Sequence, residues 1–320
     1  MNILMITIND PAGTAINFTK AINKYTSHTC RLITKEIRYN FMYEKDIHIP
    51  WIKTKEQWDE VESLLKNSDV IHFHMTADEE IELGPFKVKD YIKGKMIVHH
   101  HHGHPDFRSN PQKYREKYKK KKRTKLLVST PDLLKLLPEA KWQPNLVPLN
   151  EPLYMPVDKP SFPVRICHSP TRRELKDTDL FIYVVNKLKQ KMKGIKEIII
   201  ENTLHKECLK QKQYSHILFD HLQGYFGVSS LEGLSQGLCV VAGIDEWCRM
   251  HIHKFTQSDY LPWYVSSKDK LMEDILLLVN DRDLREEYGK RARSFMEKFW
   301  NEQKVIENLI AFYENEKQIN

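Results

Sequence analysis

A long apolar run is missing from this sequence of 320 residues. No stretch reaches the roughly 18 uncharged apolar residues that a transmembrane helix needs, so none is expected. The N-terminal segment MNILMITIND also lacks the basic start of a signal peptide. Cysteines are few, odd in number and without metal-ligand spacing: Cys30, Cys167, Cys208, Cys239 and Cys248. These absences exclude a membrane-spanning protein and a disulfide scaffold, and they favour a reducing, cytoplasmic setting.

The composition that remains, 41% hydrophobic and 29% charged residues, is typical of a globular protein. At 320 residues the chain is long enough for two domains of ordinary size. The formal net charge of +7 is moderate but unevenly spread, because Lys113 to Lys125 holds most of the imbalance. That basic run therefore needs an explanation of its own.

Short apolar runs alternate with helical patterns through the N-terminal half of the chain. A strand over Asn2 to Ile8 is followed by a loop and by a helix from Thr14 to Lys24, with Thr14 as a candidate N-cap. Further strands are expected at residues 30–33, 70–74, 96–99 and 126–129. This alternation indicates a parallel, doubly wound sheet.

Prolines cluster between the two halves of the chain, which makes this segment the best linker candidate. They are Pro138, Pro144, Pro148, Pro152, Pro156, Pro160 and Pro163. A second series of strands and helices begins after them, at Val164. We therefore predict an N-terminal Rossmann-like domain over residues 1–155 and a C-terminal Rossmann-like domain over residues 156–300. A last helix within residues 301–320 is expected to pack back on the N-terminal domain.

The most informative stretch runs from His216 to Gly243. An apolar run ends at Asp220, a glycine turn occupies residues 224–227, and a helix is expected from Ser229 to Gln236. The apolar run 238–242 then completes a β-α-β unit, and strands that are apolar on both sides suit a parallel sheet covered on both faces. Such a unit directs backbone N–H groups of the helix start toward the strand ends, where open α/β sheets bind anions such as phosphates.

Four segments together resemble the GT-B-fold glycosyltransferases of the type grouped in family 4. Residues 225–241 resemble that family's glycine turn, glutamate and "A-x-G-x-P-V" segment. Residues 168–179 resemble its "H-x-P-x-x-R-x-x-K-G-T" donor loop. Residues 69–74 and 102–108 resemble its N-terminal strand and "H-G-x-x-x-R" segment. The similarity extends over nearly the whole chain.

This resemblance implies two Rossmann-like domains that face each other across a cleft, the GT-B fold. It implies a hexosyltransferase-type enzyme that moves a sugar from a nucleotide-diphosphate-sugar donor, UDP- or GDP-linked, to an acceptor bound on the N-terminal domain. It further implies retention of anomeric configuration, without a cofactor or a metal ion. No side chain stands out as a displacing nucleophile, so retention would fit a front-face mechanism with phosphate-assisted deprotonation of the acceptor. The alternative is a catalytically silent GT-B-like module that binds a nucleotide sugar or an anionic polymer such as nucleic acid.

The donor loop carries the cations that a diphosphate leaving group requires. Arg172 or Arg173 supplies a bidentate, permanently charged clamp, and Lys176 supplies a mobile point charge. A solvated basic helix start is the alternative. Asp177 stands where the family often has glycine, and with Asp179 it spells a D-x-D motif, for which capping of the next helix is the better explanation.

Glu232 matches the family glutamate that binds the ribose hydroxyls, although Ser229-x-x-Glu232 also has the form of a capping box. A second family glutamate is replaced here by Gly224. Backbone amides from Tyr225 through Phe226 to Gly227 would then hold the donor sugar or phosphates. Asp220 either contacts the donor or caps a turn.

In the N-terminal half, the resemblance makes His102 or His104 an active-site group near the donor sugar, with Arg108 nearby. Gly13 resembles the family's glycine loop, which lets backbone approach the diphosphate, although a plain tight turn fits equally well. Four consecutive histidines, 99–102, cannot all converge on one ion because strand residues alternate between two faces. Two of them with His72 or His74 could do so, but no metal site is expected.

The basic run Lys113 to Lys125 lies on the presumed acceptor domain. It is either a solvated helix face or a surface for an anionic acceptor: a glycan, a lipid-linked carrier, a polymer or nucleic acid. Tyr114 and Tyr118 are one helical turn apart, so they could form an aromatic stripe for membrane contact or base stacking. Any membrane contact through this run would be peripheral.

Overall fold

The computed structural model describes residues 1–37 and 44–315. These residues form two compact units: residues 1–145 with a C-terminal segment that begins at Gln303, and Leu146–Glu302. Residues 316–320 of the expected C-terminal helix lie outside the described residues. None of the described helices is both long enough and apolar enough to cross a bilayer.

The N-terminal unit contains a seven-stranded parallel sheet in the order β3-β2-β1-β4-β7-β8-β9, and a small antiparallel pair, β5-β6. The strands are β1 (Asn2–Thr7), β2 (Thr29–Thr34), β3 (Ile47–His48), β4 (Val70–His74), β5 (Glu82–Leu83), β6 (Phe86–Lys87), β7 (Met96–His101), β8 (Leu126–Val128) and β9 (Lys141–Trp142). Its helices are α1 (Thr14–Tyr25), α2 (Lys55–Asn67), α3 (Pro105–Ser109) and α4 (Pro111–Lys120). All five residues of β4 are buried, which explains its unbroken apolar and histidine pattern.

The C-terminal unit contains a five-stranded parallel sheet in the order β11-β10-β12-β13-β14. The strands are β10 (Val164–His168), β11 (Ile195–Ile199), β12 (Ile217–Phe219), β13 (Cys239–Ala242) and β14 (Tyr264–Val265). The helices are α5 (Thr178–Lys191), α6 (His205–Gln213), α7 (Val228–Ser235), α8 (Glu246–Thr256), α9 (Leu271–Asn280) and α10 (Arg282–Phe299). Ile166, Phe181 and Phe219 are fully buried in the core of this unit. The last helix, α11 (Glu302–Glu314), follows α10.

Within the described residues, five short 3-10 helices connect these elements: Ile49–Trp51, Val88–Tyr91, Pro131–Lys135, Pro152–Tyr154 and Arg173–Leu175. The predicted α/β class with parallel sheets is confirmed in both units. One local prediction is wrong: Thr14 is the first residue of α1 and not its N-cap. Gly13 takes the N-cap position with φ of 62°, a left-handed conformation that glycine adopts without a steric penalty.

Each sheet reverses its strand order at one point, and open α/β sheets bind ligands at such points. In the N-terminal unit the order reverses between β1 and β4. In the C-terminal unit it reverses between β10 and β12. The loops after these four strands are therefore where a ligand is expected to bind.

Candidate functional site

The loops after β10 and β12 are joined by an ion pair between Lys176 and Asp220. The lysine Nζ lies 3.2 Å from one carboxylate oxygen of Asp220. The other oxygen accepts hydrogen bonds from the Gly227 backbone N–H at 2.6 Å and the Ser230 hydroxyl at 2.7 Å. Burial alone would raise the pKa of Asp220, but Lys176 and His221 hold it well below its usual range. Of the two roles considered for Asp220, the carboxylate caps the turn that leads into α7.

Gly227 lies close to both members of this ion pair. A Cβ at Gly227 would lie 2.9 Å from the Lys176 Nζ and 3.3 Å from a carboxylate oxygen of Asp220. Its own backbone N–H already donates to Asp220. The backbone of Gly227 therefore positions the ion pair, and that amide is engaged before any ligand arrives.

We expect Gly227→Ala to lower the free energy of unfolding by about 1 kcal/mol, because the added methyl crowds an ion pair whose lysine is 23% exposed and can move. Urea unfolding of the full chain measures the change. In a Lys176→Ala background the same substitution should be less destabilising, since the nearest atom is gone. Equal effects in both backgrounds would contradict the predicted clash.

The backbone of Asp177 is in the left-handed conformation that glycine readily adopts, with a φ of 50°. It occupies the N-cap position of α5, but its side chain makes no capping bond there. Its carboxylate instead accepts a hydrogen bond of 2.8 Å from the Leu222 backbone N–H. The capping explanation is thus wrong for this side chain, which ties the loops after β10 and β12 together. The side chain of Asp179 is 97% exposed, so the two carboxylates do not form one ligand group.

The arginines of the loop after β10 lie at the surface beside acidic neighbours. Arg172 pairs with Glu174 at 2.7 Å. Arg173 lies 3.5 Å from Glu201 and 3.8 Å from Asp179. Their guanidinium groups remain 42% and 48% exposed on a side-chain basis, so both can turn toward an anion.

Glu232 is buried in α7 and bonds to α6 instead of its own helix start. One carboxylate oxygen lies 2.5 Å from the Lys212 Nζ, and the other lies 2.8 Å from the His205 Nε2. Burial would raise the pKa of Glu232, but Lys212 and His205 lower it to about 2. The capping-box interpretation is wrong, because Gly227 is the N-cap of α7 and no side chain caps it. Two of the roughly four acceptor positions of the carboxylate stay available for hydroxyl donors.

A chain of hydrogen bonds continues from this pair toward β10. Lys212 donates to the Ser229 hydroxyl at 2.8 Å, and Ser229 bonds to the Ser169 hydroxyl at 2.8 Å. Lys212 and His205 were not singled out in the sequence. Lys212 did carry a signal, because it shares the buried face of α6 with Leu209 and a lysine on such a face requires a partner.

The glycine turn at Gly224 lies beside the carboxylate of Asp245. Gly224 has a φ of 86°, and a Cβ there would lie 3.2 Å from a carboxylate oxygen of Asp245. The Asp245 side chain also caps α8 through the Cys248 N–H. Tyr225 packs its ring 4.5 Å from that of His221. The Phe226 side chain is buried and packs on Trp263 at 4.9 Å, so only its backbone can meet a ligand.

In the N-terminal unit, Asp10 already fills the anion position at the start of α1. Its carboxylate accepts a hydrogen bond of 3.0 Å from the Ile16 N–H. Burial raises the pKa of Asp10, and the N–H groups of residues 14–16 oppose that rise. A diphosphate at Gly13 would meet this carboxylate, which favours the tight-turn interpretation of Gly13.

The segment 102–108 forms a compact turn built around Arg108. The Arg108 guanidinium bonds to Asp132 at 2.7 Å and to the Gly103 carbonyl at 3.2 Å. Gly103 has a φ of 74°, and a Cβ there would lie 2.9 Å from the guanidinium. The His104 imidazole caps α3 by accepting from the Asp106 N–H. His104 and Arg108 thus shape the turn and remain partly exposed.

The four consecutive histidines 99–102 divide between two faces, as the alternation predicts. On one face the His101 Nε2 bonds to the Tyr118 hydroxyl at 2.7 Å, and His99 lies 3.4 Å from Glu79. On the other face, His102 bonds to His74 at 2.9 Å. Burial lowers the pKa of His102 to about 3, which leaves its ring neutral at physiological pH.

The predicted aromatic stripe of the basic run is not on the surface. Tyr114 and Tyr118 are 5% and 3% exposed, because they face the core beneath α4. The Tyr114 hydroxyl donates to Asp106, and burial raises the pKa of Tyr118 well above its ordinary value. The proposed roles of the two rings in membrane contact or base stacking are therefore wrong.

Most charges of the basic run have acidic partners on the same unit. Lys117 pairs with Asp78 at 2.8 Å, and Arg123 pairs with the buried Glu79 at 2.6 Å. Further pairs join Lys121 to Glu79 and Glu80, Arg115 to Glu139, and Lys113 to Asp106. Lys125 is buried and donates to the Phe312 carbonyl. The run is thus largely an ion-pair network, and Lys119, Lys120 and Lys122 are among its exposed cations.

Solved structures share the fold of this chain at low sequence identity. A point mutant of S. aureus TarM, bound to fondaparinux, alpha-GlcNAc-glycerol and UDP, matches with a TM-score of 0.66 at 11% identity. That match covers 98% of this chain and 100% of that one. The chain has the GT-B fold. No family model matches the sequence, and no curated protein is similar to it.

Two further GT-B structures match over similar lengths. Sucrose-phosphate synthase from Thermosynechococcus elongatus has a TM-score of 0.67 at 10% identity, with 100% of both chains covered. An alpha-glucosyltransferase in complex with UDP and a 13-mer DNA that contains an HMU base has a TM-score of 0.66 at 11% identity. That match covers 98% of this chain and 99% of that chain. Since identity is this low, these matches establish the fold alone.

Proposed function

We propose that this GT-B protein is a glycosyltransferase of the hexosyltransferase type that uses a nucleotide-diphosphate-sugar donor. The observation that carries the proposal is the position of Lys176 and Glu232 in the C-terminal unit. Lys176 lies in the loop after β10 and pairs with Asp220 in the loop after β12, where the strand order reverses. Glu232 lies on the helix that follows β12. Open α/β sheets bind nucleotides at such a reversal.

The chemistry of these two groups suits a nucleoside diphosphate. Lys176 supplies a positive charge for the leaving diphosphate, and Arg172 and Arg173 are exposed enough to add a bidentate contact. Glu232 is ionised and has acceptor capacity for a vicinal diol such as ribose. We propose UDP or GDP as the nucleotide, since the structural neighbours include complexes with UDP and UDP-glucose.

The transfer step would follow from this arrangement without a nucleophile or a metal ion from the protein. We propose retention of configuration through a front-face reaction, in which the departing phosphate takes the acceptor proton and the cations stabilise its charge. His102, His104 and Arg108 are the candidates for contact with the donor sugar. We propose a reducing, cytoplasmic setting, because none of the five cysteines is joined in a disulfide.

UDP or GDP should raise the melting temperature of the full chain, because a ligand of the folded state stabilises it. Lys176→Ala and Glu232→Gln should each remove most of that rise, measured against the melting temperature of each unliganded variant. Gln is chosen at position 232 because alanine would leave the Lys212 ammonium buried without a partner. Lys187→Ala, an exposed change on α5, is the control and should keep the full rise. Full rises in both site variants would rule out this nucleotide site.

A catalytically silent binding module is the second candidate. Gly224 favours it, because the family carboxylate is missing there, and Asp245 favours the enzyme, because it brings a carboxylate to the same turn. Hydrolysis of UDP-, GDP- and ADP-sugars without acceptor separates the two. Turnover of any of them supports the enzyme, whereas nucleotide binding without turnover of any supports the silent module.

We propose that the acceptor is anionic. Exposed cations of the basic run, Lys119, Lys120 and Lys122, could contact a glycan, a lipid-linked carrier, a polymer or nucleic acid. One structural neighbour is an alpha-glucosyltransferase bound to DNA. Affinity for duplex DNA that falls steeply with salt would select nucleic acid, because phosphate contacts release counterions.

A further inference from the structure

Three histidines of the N-terminal unit come together on one face of its central strands. His72 and His74 lie two residues apart on β4, and His100 is the register partner of His74 on β7. One ring nitrogen from each of the three lies within 4.8 Å of the other two. All three side chains are at most 1% exposed. Strand pairing therefore holds three buried imidazoles in one small volume.

Each of these three rings has at least one nitrogen without a hydrogen-bond partner. The Nε2 atoms of His72 and His74 and both ring nitrogens of His100 are buried without a hydrogen-bond partner. Buried polar atoms in folded proteins are nearly always satisfied, so a group of four such atoms requires an explanation. A ligand that accepts lone pairs from several imidazoles at once would satisfy them.

The remaining nitrogens of two rings are held by neighbours. The His72 Nδ1 lies 2.6 Å from the Tyr313 hydroxyl, and the His74 Nδ1 lies 2.9 Å from the His102 Nε2. Histidines that bind metals use one nitrogen for the ion and fix the other through a hydrogen bond. His72 and His74 match that division, with Nε2 as the nitrogen left for a ligand.

We propose that His72, His74 and His100 bind one divalent transition-metal ion of the zinc type, with Tyr313 and His102 orienting the first two rings. Imidazole nitrogen suits Zn²⁺, Co²⁺, Ni²⁺ and Cu²⁺, whereas Mg²⁺ and Ca²⁺ take oxygen ligands. The three ring nitrogens lie within 4.8 Å of one another, and zinc–nitrogen bonds of about 2.0 to 2.1 Å would require the rings to rotate toward a common point when the ion binds.

The surroundings of the site assign the ion a structural role. Phe18 of α1 packs 5.9 Å from the His100 ring, and Tyr313 of α11 packs 5.9 Å from the His72 ring. The ion would therefore join β4 and β7 beneath two helices. It would meet the proposed function only at His102, which bonds to His74 and is also a candidate contact of the donor sugar.

Cobalt titration of the full chain, after removal of metals with a chelator, tests the site. One equivalent of Co²⁺ should bind with the visible absorption of a nitrogen-ligated ion, and Zn²⁺ should displace it and raise the melting temperature. His100→Gln removes a ligand and should therefore weaken binding by more than the roughly 10- to 100-fold that loss of a supporting hydrogen bond costs. His101→Gln is the matched control, because His101 is equally buried on the same strand but faces the opposite side. Mg²⁺ should have no effect.

Absence of cobalt absorption at millimolar Co²⁺, or equal binding by wild type and His100→Gln, would overturn the proposal. Should His100→Gln fail to fold, Tyr313→Phe gives a second reading. It keeps all three ligands and removes only the hydroxyl that holds the His72 Nδ1. We expect it to weaken cobalt binding by about 10- to 100-fold. An unchanged affinity in Tyr313→Phe would count against the site as firmly as absent binding.

Discussion

Replacing Lys212 with methionine should lower the free energy of unfolding by about 3 to 5 kcal/mol, because it leaves a buried carboxylate without its cation. Lys212 is 2% exposed, and Glu232, its partner at 2.5 Å, is 4% exposed. His205 bonds to the other carboxylate oxygen but does not replace a permanent charge. Urea unfolding of the full chain, followed by circular dichroism, measures the loss.

Two comparisons show whether the loss comes from the pair. Lys210→Met lies on the same helix, but Lys210 is paired with Glu207 at the surface, and its loss should be below about 1 kcal/mol. The double variant Lys212→Met with Glu232→Gln removes both charges and should be more stable than Lys212→Met alone. A double variant whose loss equals the sum of the two single losses would show that the charges do not interact.

Acidification should destabilise the protein through His168 by about 3 kcal/mol between pH 6.5 and 4. His168 is buried, and its ring bonds to the Phe219 carbonyl at 2.9 Å and the Thr178 hydroxyl at 2.8 Å. Burial lowers its pKa from 6.5 to about 4, against opposing effects of Phe219 and Asp220. Below pH 6.5 the unfolded chain binds a proton that the folded chain excludes. Stability is therefore complete above pH 6.5 and declines as the pH falls toward 4.

A non-titrating variant isolates this contribution from the other histidines. His168→Gln should be less stable than wild type at pH 7.5. The difference in the free energy of unfolding should shrink by about 3 kcal/mol at pH 4, because only the unfolded wild-type chain binds a proton at residue 168. The charged neighbours Asp220, Lys176 and His221 are the same in both proteins. A difference that stays constant with pH would mean that His168 does not titrate in this range.

Much of the fold was predictable because its signals are local. Apolar runs of four to six residues between turn residues correctly predicted the central strands, and prolines separate the two series. The N-cap of α1 was misassigned because Gly13 and Thr14 both suit that position, and only the backbone angles distinguish them.

The site was predictable only where its chemistry lies within one segment. Lys176 and Asp220 were both singled out, but their pairing across two loops, 44 residues apart, was not. Glu232 had a local interpretation as a cap, yet its partners are on α6, which only tertiary packing brings close. The predicted surface position of the two tyrosines of α4 was wrong for a related reason. An i, i+4 pair has the same spacing whether it faces solvent or core.

The contact between Lys176 and Asp220 has a consequence for how strongly an anion could be held. A free lysine side chain loses up to about 2 kcal/mol of rotamer entropy when a ligand immobilises it. Here folding has already restricted that side chain, since the carboxylate holds the ammonium 3.2 Å away and its exposure is only 23%. An arriving diphosphate would then share an ammonium that is already in place and order little of the protein on binding.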